Sequence, residues 1–317
     1  MEAWILNRAI ELQLGCFIFI LSLMACWEVI AARRQLTVVK RDRWLSNLGL
    51  TALNSILLRL LFPATAVGSA WVAAERGWGL LSVLPVPSWL AVPLSIVILD
   101  FAIWTQHVMF HRVPLLWRLH MVHHADPDLD VTSGARFHPL EMMLSLLIKV
   151  GVVLLVGIPA IGVFLFELIL NATAMFNHSN VKVPNGVDRV LRWFLVTPDM
   201  HRVHHSVIVD ECHTNFGFNL PWWDRLLGTY RAQPRGGHLR MTIGLTEFRS
   251  GVRQTLTWML ALPFGAIVGG RPMRHARTAA QRWCDDLRGQ RWVARAAVRD
   301  RLARQSRARA TSRRTRL

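Results

Sequence analysis

The chain of 317 residues is 52% hydrophobic and only 18% charged, where an ordinary soluble domain is about one quarter charged. Its mean hydropathy is +0.30. This balance excludes a disordered, collagenous or disulfide-scaffold chain, and the four cysteines (Cys16, Cys26, Cys212 and Cys284) form no CxxC pair for a thiolate metal site. The formal charge of +17 is uneven: residues 271–317 hold fifteen arginines against three aspartates, and the remainder is close to balanced. Arginine outnumbers lysine 34 to 3, a usage that points to a GC-rich bacterial genome.

In chain order the first long apolar run covers residues 12–27 and extends to Ala32 with Glu28 as its one acid. A second covers 47–71, broken by Arg59, and a third covers 77–99 without a charge but with Pro85, Pro87 and Pro93. A fourth, residues 142–176, contains Lys149 and Glu167 and exceeds the roughly 20 residues that one membrane crossing needs. Gly157-Ile158-Pro159 at its middle predicts a hairpin, because proline removes a backbone donor. The expectation is an all-α integral membrane protein with about four membrane segments, the last a hairpin. The first segment is not a cleavable signal: Glu2 and Glu11 precede it and no small-x-small site follows. Arg33, Arg34, Lys40, Arg41 and Arg43 after the first span place that loop in the cytoplasm by the positive-inside rule. With a hairpin as the fourth segment, every histidine cluster and the C-terminus share that side, as expected of a multi-pass protein of the bacterial inner membrane. The chain divides into N-terminal membrane segments (1–99), a histidine-rich region (100–232) and a C-terminal extension (233–317).

Thirteen histidines are the compositional anomaly, and most are clustered. His107 and His111 are followed by His120, His123 and His124, then His178, then His201, His204 and His205. Residues three and four apart share a helix face, so each cluster addresses one point from one or two turns. Neutral imidazole is the commonest metal ligand. Nine such donors exceed the four of a tetrahedral zinc and suit two metals. A lone His238 or His275 reads as a surface residue. No HExxH is present, so the zinc-protease helix is absent.

The ordered set Asp100, His107xxxHis111, His120xxHis123His124, Arg136-Phe137-His138-Pro139-Leu140-Glu141, Thr197-Pro198-Asp199-Met200-His201-Arg202-Val203-His204-His205, Asn215-Phe216-Gly217 and Trp223-Asp224 resembles the sterol desaturase or fatty acid hydroxylase superfamily, especially its bacterial members of unassigned substrate. The resemblance covers about residues 100–230. It implies a membrane-embedded di-iron oxygenase whose histidine site, with two Fe ions (Zn substituting in recombinant protein), lies under a cytosolic helical cap. It also implies hydroxylation or desaturation of a sterol, fatty acyl chain, carotenoid or related lipid. Some relatives carry a further histidine where this chain has Ala174; the expectation is that Asn171 or Asn177 contributes there through water. His213 is not counted as a ligand, and His138 is given a supporting role. Asp100, Glu141 and Asp224 are expected to orient ligand imidazoles; the alternative is ion pairing with Arg118, Arg136 or Arg202. Arg136, Asn177 and Asn215 complete the supporting set.

Cleaving an unactivated C–H bond is beyond any amino-acid side chain, so metal and dioxygen carry that step. No haem, cluster or dinucleotide motif is present, so electrons come from a separate ferredoxin, b-type cytochrome or reduced pterin. The lipid substrate enters from the bilayer, nucleic acid is no partner, and oligomeric state is left open. Residues 271–317 read as a basic amphipathic helix on anionic lipid or a charge-repelled tail, and residues 256–268 as an interfacial segment. Two rivals remain: a membrane metal transporter, whose ligands belong inside its spans, and a zinc-dependent membrane hydrolase, which works without dioxygen.

Overall fold

A computed structural model describes residues 2–62, 65–249 and 254–265. The arginine-rich segment 271–317, with His275 and Cys284, lies outside the described residues, as does the end of the 256–268 segment. The chain is helical: α1 (Ala9–Ile30), α2 (Lys40–Leu61), α3 (Ala66–Arg76), α4 (Ser88–Arg112), α5 (Pro114–His124), α6 (Pro139–Val156), α7 (Ala160–His178), α8 (Asn185–Leu191), α9 (Pro198–His204) and α10 (Trp222–Leu226), joined by shorter turns. Pairing between extended segments among the described residues is limited to two isolated bridges, Ala32 with Val181 and Ser206 with Ile243.

Five stretches are long and apolar enough to cross a membrane: Ala9–Ile30, Lys40–Val83, Ser88–Arg112, Pro139–Val156 and Ala160–His178. The protein is a multi-pass integral membrane protein. The fourth apolar run divides as its Gly-Ile-Pro break predicts. Gly157 ends α6 in the left-handed conformation (φ 73°), and Pro159 starts α7 with its fixed φ. The two arms are tied inside the apolar region, where the Lys149 ammonium donates to Glu167 at 2.7 Å and Gln13 of α1 donates to the same carboxylate at 3.0 Å.

The third span differs from the expected residues 77–99. Gly77 and Gly79 adopt positive φ (64° and 95°), which interrupts the helix, and α4 starts only at Ser88 after Pro87. It then continues thirteen residues past Leu99, so the apolar span and the first histidine pair share one rod. Gly79 is packed against the hairpin tip: a Cβ there would sit 2.1 Å from the Gly157 nitrogen. Below the histidines, Leu99 and Ile103 of α4, Val153 of α6 and Val163 and Phe166 of α7 form one apolar core.

The basic loop between α1 and α2 meets the histidine end of the molecule. Arg33 pairs with Asp199 at 3.0 Å, and Glu28 accepts from the backbone of Val131 and Asn180. Arg43, expected as a loop charge, is instead wholly buried. Its guanidinium donates to Asp126 at 2.8 and 2.9 Å and to Asp130 at 2.6 Å. Burial alone would raise the Asp126 pKa, yet Arg43 and Arg136 beside it bring it down to about 2. Removing one member of a buried ion pair strands the others. Arg43→Met is therefore expected to cost roughly 3–5 kcal/mol, read as a lower thermal midpoint in detergent, while exposed Arg41→Met leaves the midpoint unchanged.

Candidate metal centre

Four segments converge. His107 and His111 end α4; Pro114 restarts the chain as α5, which carries His120, His123 and His124. His178 is the last residue of α7, and α9 carries His201 and His204 with His205 as its C-cap. All nine are at most 2% exposed.

The nine form two groups whose ring nitrogens lie within 4.8 Å of one another: His107, His111, His120, His124 and His204 in one, and His123, His178, His201 and His205 in the other. The groups abut, with the His124 and His205 rings stacked at 4.4 Å between centroids.

The outer nitrogens are anchored. Nδ1–H of His107 donates to the Phe216 carbonyl (2.7 Å), that of His178 to Ala174 (2.7 Å), that of His204 to Thr214 (2.8 Å) and that of His123 to Arg136 (3.3 Å). His120 Nδ1 meets the Glu141 carboxylate at 2.6 Å. A carbonyl oxygen only accepts, so Nδ1 of His107, His123, His178 and His204 holds the proton and Nε2 presents a bare lone pair; an ionised Glu141 sets His120 the same way. Yet Nε2 of His107 lies 3.1 Å from Nε2 of His120, and Nε2 of His123 lies 3.1 Å from Nε2 of His178. Two lone pairs at that distance repel unless a cation lies between them. Both nitrogens of His111, Nε2 of His124 and His204, and Nδ1 of His201 and His205 have no hydrogen-bond partner. Each such buried group costs about 1–3 kcal/mol if left alone. An all-imidazole donor set of this kind fits divalent iron or zinc, so the residues present fit the metal pair the sequence implies.

The supporting residues behave unequally. Glu141 reaches an imidazole directly. Arg136 does so through its carbonyl, while its guanidinium donates to Val122 and Gln254. Asp224 bonds Trp104, Thr229 and the backbone of Phe216 and Gly217. It therefore orients His107 only at one remove, through Phe216. Asp100 accepts from Trp223 at 2.7 Å. Neither aspartate forms the ion pair with Arg118, Arg136 or Arg202 weighed as the alternative; Arg202 pairs with Asp199, and Arg118 donates to the Pro263 carbonyl. Asn215, at φ 53°, staples α9 to residue 231 through Met200 and Arg231. Asn177 donates to the Phe218 carbonyl, whereas Asn171 is exposed. His138 caps α6, accepting from Leu140 and meeting the Leu260 carbonyl, so both its nitrogens are occupied.

Other residues were not legible as site residues. Cys212 lies 3.7 Å from His124 Nδ1, and together with His213 and His111 it forms a third close group of ligand-type atoms, although His213 was set aside from sequence. Burial pushes the Cys212 thiol up to about 12, which keeps it protonated. Phe137 stacks on His123 at 4.4 Å. His238, expected at the surface, is 6% exposed and sits 3.5 Å from Asp199.

Burial holds the His120 pKa down at about 3, and burial with neighbouring imidazoles holds His123, His124, His201, His204 and His205 well below 6.5. An unfolded histidine titrates near 6.5. Below that pH the unfolded chain binds protons that the folded chain refuses, so the metal-free protein is expected to lose stability steadily as pH falls from about 7 towards 5. Its thermal midpoint measured across that range checks this, and a flat profile contradicts it. Glu141→Gln is expected to weaken metal retention about 10–100-fold, measured by chelator competition.

A family model described as fatty acid hydroxylase matches residues 92–229. The chain is 33% identical to ornithine lipid hydroxylase OlsE of Rhizobium tropici over 187 residues, 57% of this chain and 54% of that protein. It is 28% identical to human (Homo sapiens) alkylglycerol monooxygenase over 148 residues, 47% of this chain and 31% of that one. Cholesterol 25-hydroxylase of Mus musculus is 25% identical over 146 residues, 45% of this chain and 47% of its own length. The chain thus spans about half or less of these curated relatives. No solved structure matches. The matched segment starts within α4 and ends just beyond α10, enclosing both histidine groups, and over it the chain is similar to the fatty acid hydroxylase/sterol desaturase superfamily.

Proposed function

We propose that the protein is a membrane-bound lipid hydroxylase that holds two irons, one in each histidine group, with residues 100–232 as its catalytic region. The observation that carries this reading is the pair of abutting, wholly buried imidazole groups whose bare nitrogens face one another at the end of apolar spans. The relatives support it, being named as hydroxylases or monooxygenases of ornithine lipids, alkylglycerols and cholesterol.

The irons, when bound, supply with dioxygen and external electrons the oxidising power that insertion of oxygen into an unactivated C–H bond requires. The chain's own residues position and shield. Glu141 and the carbonyls of Phe216, Arg136, Ala174 and Thr214 hold the imidazole protons outward, so that each lone pair faces inward. Phe137 covers His123, and Phe216 lies against His107, His111 and His204 at 5.2–5.5 Å, excluding water from the rings. Because α4, α6 and α7 bring their apolar core up to the histidines, a lipid chain reaches the site sideways from the bilayer. Electrons come from a separate ferredoxin, b-type cytochrome or pterin. The basic loop holding Arg33, Arg34, Lys40 and Arg41 meets the histidine end, which supports a cytoplasmic site in a bacterial inner membrane.

The test is metal analysis of iron-supplied protein beside His204→Ala and His123→Ala, one from each group. Expected are two irons in the parent, about one fewer in each variant, and oxygen uptake that yields a lipid one oxygen atom heavier and is lost in both variants. Full turnover of a lipid under strict anaerobiosis, or no iron bound after reconstitution, overturns the reading.

A further inference from the structure

The segment after α7, residues 179–232 with α8, α9 and α10, forms the cap of the histidine site and carries an apolar face level with the middle of α4. Beyond α7 the chain leaves the spans, yet α10 returns against the middle of α4. Trp223 Nε1 donates to Asp100, Trp104 Nε1 donates to Asp224, and the Trp223 and Phe101 rings lie 4.8 Å apart. At 1.5 Å per residue, Asp100 is about 10 Å along α4 from His107 and about 18 Å from its end at Arg112. The neighbouring Phe101 is 43% exposed, on a helix apolar enough to face lipid.

α10 does not stand alone at this level. Trp222 Nε1 donates to the Trp193 carbonyl at 2.7 Å, and Arg225 donates to the Arg192 carbonyl at 2.8 Å. The Arg225 guanidinium is held between the Trp193 and Tyr230 rings at 4.3 and 4.0 Å. The joined surface shows large side chains outward: Val190 at 60%, Trp193 at 57%, Phe194 at 63%, Trp222 at 39% and Leu226 at 73% exposed. Such a run is unfavourable against water, since contiguous exposed patches mark an interaction site. Tryptophans with a basic residue among them match the membrane–water boundary, where amphipathic rings and arginine stems settle.

We infer that this α8–α10 face of the cap is a monotopic membrane-insertion surface, seated in the acyl–headgroup boundary of the bilayer that the protein spans. Its continuity with the lipid-facing side of α4 selects the bilayer as occupant, and the exposed Arg189 adds a cation suited to anionic headgroups. The consequence is that lipid touches the cap as well as the spans, beside the loop whose Phe216 carbonyl anchors His107.

The test uses the full chain with Cys16, Cys26 and Cys284 replaced by serine, Leu226→Cys or Val190→Cys introduced in turn, and an environment-sensitive fluorophore attached. Asp210→Cys, in the exposed Asp210–Arg235 ion pair, serves as the aqueous control. In nanodiscs of phosphatidylcholine and phosphatidylglycerol, the labels at 226 and 190 are expected to be quenched by acyl-brominated lipid and at least about threefold less by iodide than the label at 210. Iodide quenching equal to the control at both positions overturns the inference. Protection from iodide without quenching by brominated lipid overturns it too, and assigns the face to a second copy or another protein.

Discussion

Nine imidazoles buried within reach of one another must each be kept neutral, oriented and supplied with a partner for the inward nitrogen. Water is excluded, so the protein has to provide the outward partner itself. For five of the nine it does so from separated places in the chain: one carboxylate on α6 and carbonyls at residues 136, 174, 214 and 216. Much of the remaining architecture serves to hold those acceptors. Gly134 shows how tight the arrangement is, since a Cβ there would stand 2.6 Å from the Ala174 oxygen that His178 uses.

The cluster of Arg43, Arg136, Asp126 and Asp130 has the same logic one layer out. A buried ion network is no efficient source of stability, because desolvation offsets much of the Coulomb attraction. Its value here is directional. Arg43 fixes residues 126–133, a loop that runs into a 3-10 turn at Val131, through side-chain and carbonyl contacts, including the Asp128 carbonyl and the Ser133 hydroxyl. That segment leads directly to Arg136, whose carbonyl orients His123. A greasy core could hold the helices together, but it would not set the azimuth of a carbonyl.

What could be read from sequence was local. The hairpin followed from a glycine and a proline two residues apart, and the convergence of nine histidines followed from spacings of three and four on helices. The parts that could not be read depend on contacts between distant segments. Arg43 counts as a loop charge until its carboxylates, more than eighty positions later, are brought to it. His238 looks like a surface residue until Asp199 is found beside it. The third span was misplaced for a different reason: summed hydropathy does not register the positive φ of Gly77 and Gly79, which breaks an otherwise apolar helix.

The distribution of donors along the chain has a kinetic consequence. The five-nitrogen group lacks only His204 once α4 and α5 exist, and the four-nitrogen group waits for both His201 and His205. One short turn, Pro198–His204 with its C-cap, therefore supplies the last donors in chain order to both groups. It follows the fifth of the five candidate spans among the described residues. A chain that has formed only α4 and α5 already gathers four imidazoles of the first group, as many as a tetrahedral zinc takes, so it is the second group that depends on the whole bundle.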